Sequence, residues 1–236
     1  MLTRIITAFR QFHQEPADWS LETYARHTWR VLFRLWLIMV AGSLALGAAT
    51  LHPARPFGED QPFTFYTVAQ YIVCSFVCGQ CARRTGGGAR RLWWLMCIGL
   101  AFVAADDLLR IHENLDRLIH KAFDADPFNS ITDSLDNLIL AVYGVIGTIV
   151  LVRQRRHVLM LWGFKRGVVW TGVLFTVMLV LDTISDMVPP IPAGVAGITE
   201  EMCKGLASCV LVWTFTAARF QLRQSPAAAL KTPDDG

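Results

Sequence analysis

Lysine is almost missing from this chain. Lys121, Lys165, Lys204 and Lys231 are all it has, and every other basic residue is arginine. Charge of either sign is scarce: 17% of the 236 residues are charged, against 53% apolar. A soluble domain of that length carries more charge and breaks its apolar runs more often. The net charge is only +3 and no basic stripe lies on a polar segment, which excludes nucleic acid as a partner. No phosphate loop, nucleophile elbow or dinucleotide fingerprint occurs. Gly86-Gly87-Gly88 sits in a short arginine-rich turn instead. The start, MLTRIITAFRQFHQE, does not read as a secretory leader, lacking an apolar core and a small-residue cleavage site.

What the chain does have is apolar length, with a mean hydropathy of +0.39. Six stretches come close to the ~20 residues that cross a bilayer: 29–51, 63–82, 92–109, 134–152, 167–188 and 198–218. The expected fold is all-α, a polytopic membrane bundle of six transmembrane helices within 29–219. In 1–28, Leu2, Ile5, Ile6, Phe9 and Phe12 share one helical face, which predicts an interfacial amphipathic segment. Residues 220–236 read as a disordered tail.

Arginine sets the expected orientation. Arg26, Arg30 and Arg34 flank the first span. RRTGGGARR and RQRRH, the latter with Lys165-Arg166, form the second and fourth connections. Arg219 and Arg223 follow the last span. The intervening loops are acidic or uncharged. The positive-inside rule then puts both termini in the cytoplasm of a bacterial inner (plasma) membrane protein, with lipid as its surroundings.

Depth follows from the same arginines. Asp106, Asn137, Asp182 and Lys204 each lie about 15–16 residues from the nearest basic flank, roughly 22–24 Å outward at 1.5 Å per residue. Spans three to six thus carry polar groups at one level of the outer leaflet. Intramembrane charges are costly and face the bundle or a wet cavity, so one shared site is expected. Its candidates are Asp106, Asp107, His112, Glu113, Asp136, Asn137, Asp182, Asp186, Glu200, Glu201 and Lys204. Spans one and two lack such groups and read as scaffold. Thr132 before Asp133, and Thr199 before Glu200, also read as N-caps with acids in the first turn. Asp182 and Asp186 end a helix before Pro189-Pro190, against the dipole. They call for Lys204, Arg110, shared protons or a metal.

The stretch ADDLLRIHENLDRLIH, 105–120, reads as one unbroken helix extending above the membrane. Asp106, Arg110, Glu113 and Arg117 would form one stripe of ion pairs. His112, Asp116 and His120 form a neighbouring stripe of ligand types suited to zinc or iron. The HExxH pattern is not met, because Asp116 stands where its second histidine belongs. The expected ligands of a divalent ion are Asp106, His112, Asp182 and Glu201. CSFVCGQC in span two has the C-x3-C-x2-C spacing of radical enzymes that use S-adenosylmethionine. It lies in an apolar helix without their αβ repeats and reads as buried thiols. Cys97, Cys203 and Cys209 also fall in spans, so disulfides are not expected as the framework.

ITDSLDNL at 131 and ITEEMCKGL at 198 align at their starts, as in two similar hairpins. DDLLRIHE, TDSLDN, LDTISD and EEMCKG together resemble a broad class of uncharacterised bacterial multi-pass proteins. The resemblance covers roughly 100–215, with an Asp-then-His-Glu third helix and Glu200, Glu201 and Lys204 in the last. It implies no known activity. Membrane hydrolases of the ceramidase and receptor-like type use three His and an Asp at one face. Here His52, His112 and His120 do not match their spacing.

Three functions remain in view. The first is binding or conducting a cation or protons. The second is a metal-dependent enzyme acting on a lipid or isoprenoid headgroup. The third is a structural assembly partner.

Overall fold

The computed structural model describes residues 19–52, 54–57, 61–123, 135–154, 158, 160–187 and 193–224. Seven α-helices are seen among them: α1 Leu21–Ala49, α2 Pro62–Ala82, α3 Gly87–Leu109, α4 Ile111–Phe123, α5 Leu135–Arg153, α6 Phe164–Met187 and α7 Ala193–Gln224. A single 3-10 turn, Arg55–Phe57, precedes α2.

Local chemistry explains several of the boundaries. Ser20 caps α1, its Oγ accepting from the Thr23 amide at 3.2 Å. Glu22 and Arg26 then pair one turn apart at 2.7 Å. Pro62 opens α2, where its missing N–H costs nothing. Gly87 and Gly163 take left-handed φ of 50° and 71° at the turns that lead into α3 and α6. The first long helix thus begins inside the segment expected to be interfacial, and the last runs five residues into the expected tail.

Two helix boundaries correct the expectations. Residues 105–120 are not one helix. Arg110 adopts φ 51°, ψ 47° and ends α3, with its amide donating to the Asp106 carbonyl. The stripe from Asp106 to Arg117 is therefore broken. At the other end, α7 begins at Ala193, immediately after Pro192, so Thr199 is well inside it. Its Oγ1 donates back to the Val195 carbonyl at 2.8 Å. Thr199 is no N-cap, and the dipole of a first turn does not account for Glu200 and Glu201.

Helix α7 lies centrally, packed on α1, α2 and α6, and α2 in turn packs on α3. The α2–α7 approach is close because Gly205 has no side chain. A Cβ there would stand 2.7 Å from Phe63 Cε1. Gly167 does the same for α6 against α7, where a Cβ would stand 2.9 Å from Thr214 Cβ. Trp93, Phe164 and Phe215 interlock edge to face or tilted at the end bearing the basic turns. Phe57 and Phe63 pack at the other end.

The outer surface is as telling as the core. Ile38, Ile72, Phe76, Ile98, Ile146, Trp170 and Val173 are all exposed on the sides of long helices. An apolar belt of that extent is suited to lipid, not water. Five helical segments among the described residues are long and apolar enough to cross a membrane: Leu21–Ala49, Arg55–Ala82, Gly87–Leu109, Phe164–Leu181 and Gly197–Gln224. The expected span at 134–152 corresponds to α5, whose described apolar stretch, Ala141–Arg153, is shorter. The chain is a multi-pass, all-α membrane bundle.

Candidate functional site

The break at Arg110 organises the first part of the site. Left-handed backbone costs a non-glycine residue about 1–2 kcal/mol. Asp106 compensates across the break. Its Oδ1 accepts the His112 amide at 2.9 Å, and its Oδ2 meets His112 Nδ1 at 2.8 Å. An ionised carboxylate can only accept, so facing one the Nδ1 position is the donor. Hydrogen bonds to a charged group contribute roughly 1.5–3 kcal/mol each, which outweighs the backbone strain. Asp106 is 1% exposed and acts as the N-terminal cap of α4 from six residues upstream. Both of its oxygens are thus committed to His112.

The second part stands on the next residue, turned about 100° around α3 by helical geometry. Asp107 Oδ1 lies 3.1 Å from Lys204 Nζ on α7. Lys204 also reaches Glu201 Oε1, one turn earlier on its own helix, at 3.7 Å. Helix α2 packs on both α3 and α7, and Tyr71 projects from it into the field of Asp107, Lys204 and Glu201. Tyr71 is 1% exposed. Its Oη and Asp107 Oδ2 are buried without a hydrogen-bond partner among the described residues.

Closer to the middle of α7, a neutral network ties α2 to it. Ser208 Oγ donates to Gln70 Oε1, and Gln70 Nε2 contacts Cys209 Sγ at 3.1 Å. Tyr66 Oη lies 3.2 Å from the same sulfur. Trp36 Nε1 on α1 donates to the Met202 carbonyl at 3.3 Å. These bonds lock α7 on both sides of Lys204. All six cysteines are free thiols, and Cys74, Cys78, Cys81 and Cys209 are buried.

The expected site residues divide as follows. Asp106 pairs with His112, and Asp107 with Lys204 and Glu201. Glu200 is partly buried in α7 beside them. Glu113, Asp136, Asn137, Asp182 and Asp186 lie on the described backbones of α4, α5 and α6, but their side chains fall outside the described set. The four expected metal ligands are not seen together. Asp106 and His112 satisfy each other, Glu201 is engaged by Lys204, and Asp182 falls outside the described side chains. Among the described residues no three His, Cys, Asp or Glu converge as a metal site.

Sequence reasoning missed Tyr71, because α2 was read as scaffold. A tyrosine amid TVAQYIVC, with its hydroxyl demanding a partner wherever it is buried, was the available signal. It also missed Tyr143 on α5, whose ring meets Phe102 at 5.3 Å and whose charged neighbour is Asp106.

Chemically, the arrangement offers a primary amine between two carboxylates, a phenol beside them, and an imidazole oriented by a third carboxylate. Searches of the curated proteins and of the solved structures find no match. Residues 29–220, which hold every residue named in this arrangement, match one family model, described as Domain of unknown function (DUF8692). With that match covering most of its length, the chain belongs to the DUF8692 family.

Proposed function

We propose that this protein binds or conducts a cation or protons through a carboxylate-rich site between α3, α5, α6 and α7. In this reading the chain makes six spans, with both termini in the cytoplasm, and the site lies in the outer leaflet. The arginine flanks support that orientation, since α5 would supply the sixth crossing. The observation that carries the reading is Lys204 Nζ set 3.1 Å from Asp107 Oδ1 and 3.7 Å from Glu201 Oε1 inside the bundle. Charges kept at membrane depth mark ion and proton pathways.

The test is reconstitution of the full chain in vesicles. Proton, sodium and potassium flux are followed with entrapped dyes under an imposed gradient. Flux above that of empty vesicles, lost in Asp107→Asn, is expected. Parent vesicles no leakier than empty ones to all three ions would defeat the proposal.

The Asp106–His112 pair favours a second reading. A carboxylate that orients an imidazole is also the arrangement that tunes metal-bound histidine. A divalent ion held by His112 with Asp182 or Glu201 would serve an enzyme acting on a lipid or isoprenoid headgroup. Asp106 would then support His112 instead of coordinating the ion. Metal analysis of the purified protein, before and after Asp182→Asn, separates the two readings.

A further inference from the structure

We propose that α3 and α6 each hold the phosphate of an anionic phospholipid where they start, Arg90 with Trp94 forming one site and Arg166 with Trp170 the other. Both helices begin in the same way. A glycine in left-handed backbone, Gly87 at φ 50° and Gly163 at φ 71°, turns the chain. An arginine follows three residues later and a tryptophan four after that, so that Gly-x-x-Arg-x3-Trp occurs twice. The two copies stand at one end of the bundle, because Trp93 of α3 meets Phe164 of α6 edge to face at 5.9 Å. Each arginine shares a helical face with its tryptophan, about 6 Å away along the axis. All four side chains are exposed, Trp94 by 36% and Trp170 by 60%. Exposed Ile98 and Val173 follow about one turn further along. The order on each face is cation, indole, aliphatic, which matches phosphate, glycerol ester and acyl chain in a lipid leaflet.

Membrane orientation alone does not call for this arrangement. The positive-inside rule counts basic residues, lysine or arginine alike, whichever helix end bears them. The helix dipole favours a cation where a helix ends, as at Arg153 and Arg223, and disfavours it where a helix starts. Arg90 and Arg166 stand at helix starts whose first turns contain no acid. Neither pairs with a carboxylate among the described residues. An anion supplied from outside removes that conflict. A guanidinium meets phosphate through two parallel hydrogen bonds, a fit that the lysine ammonium lacks. Arg91 and Lys165, exposed beside the two sites, repel the ammonium of a zwitterionic headgroup and so select a lipid of net negative charge. The sites lie at the other end of α3 from Asp107 and are independent of the cation reading above.

The full chain is reconstituted in mixed vesicles of phosphatidylcholine and phosphatidylglycerol, one or the other carrying bromine on its acyl chains. Bromine quenches only the tryptophans that its lipid touches. Subtracting the fluorescence of Trp94→Phe with Trp170→Phe from that of the parent isolates the two indoles. Brominated phosphatidylglycerol is expected to quench them at about fivefold lower mole fraction than brominated phosphatidylcholine, the effect of one arginine at an anionic headgroup. Arg90→Gln with Arg166→Gln brings the two lipids level. Arg83→Gln with Arg84→Gln, exposed arginines of the same end, keeps the preference. Burial of the cysteine thiols verifies that each variant is folded. Arg90→Lys with Arg166→Lys keeps charge and orientation, serves where the glutamine variant does not fold, and loses part of the preference. Equal quenching by the two lipids in the parent overturns the proposal. So does a preference unchanged in the folded Arg90 and Arg166 variants, or one lost equally in the Arg83 and Arg84 variant, which assigns it to diffuse charge. Loss of the preference on adding inorganic phosphate at constant ionic strength assigns the sites to a soluble anion and overturns it too.

Discussion

Replacing Lys204 by methionine keeps an unbranched side chain one atom shorter and removes its charge. At an effective dielectric constant of about 20, unit charges 3.1 Å and 3.7 Å apart attract by roughly 5 and 4.5 kcal/mol. Desolvation of the ammonium and of the two acids already offsets much of that in the parent protein. Lys204→Met then leaves Asp107 and Glu201 facing each other with no cation between them. Breaking a buried pair in this way costs about 3–5 kcal/mol. The loss is expected to be non-additive. Adding Asp107→Asn to Lys204→Met removes the orphaned charge and recovers a large part of the stability. The buried thiols of Cys74, Cys78, Cys81 and Cys209 supply the assay. A fluorogenic thiol reagent reports their exposure as the detergent-solubilised protein is heated. A Lys204→Met midpoint equal to the parent's would refute the reasoning. So would a double variant that loses stability additively, because Asp107 and Lys204 would then be uncoupled.

Three other outcomes follow from the packing and the caps. Gly205→Ala drives a methyl into the Phe63 ring, 2.7 Å away, and should cost about 1–3 kcal/mol, with Phe63→Leu recovering part of it. Equal thermal midpoints for parent and Gly205→Ala would contradict this close approach. Gly167→Ala meets Thr214 Cβ at 2.9 Å, and Thr214→Ala should relieve only the part due to the hydroxyl and methyl, a difference that the same melts resolve. Asp106→Ala removes the acceptor of the His112 amide, so hydrogen exchange at that amide should speed up by roughly 10- to 100-fold. Unchanged exchange would mean that α4 does not depend on Asp106.

The long apolar helices were legible because membrane spans impose a length and leave arginines at their ends. The meeting of α3 with α7 was legible in part. Counting from Arg91 and Arg219 brings the Asp106–Asp107 pair and Lys204 to one level, but depth carries no angular information. Which of the two neighbouring aspartates faces Lys204 depends on how α3 is turned against α2. The break at Arg110 was not legible at all, because a left-handed cap is usually announced by glycine or asparagine. Here an arginine occupies it, and its stabilisation comes from Asp106 gripping His112, a contact invisible to helical periodicity. The start of α7 was misread for a related reason. Thr199 followed by two acids imitates an N-cap, whereas the described helix already runs from Ala193. Tyr71 was passed over because its partners belong to two other helices and only packing brings them near.

The pairing of Asp107 with Lys204 also bears on how the protein is made. Roughly 100 residues of chain separate the two, and ribosomes add about 5–20 residues per second. The third helix therefore reaches the bilayer on the order of 10 s before the helix that carries its counter-charge has been synthesised. During that interval Asp107 has no lysine to meet. Assembly of this membrane protein must tolerate a helix held in waiting, and the last helix, tied to α1, α2 and α6 at once, is the one that completes it.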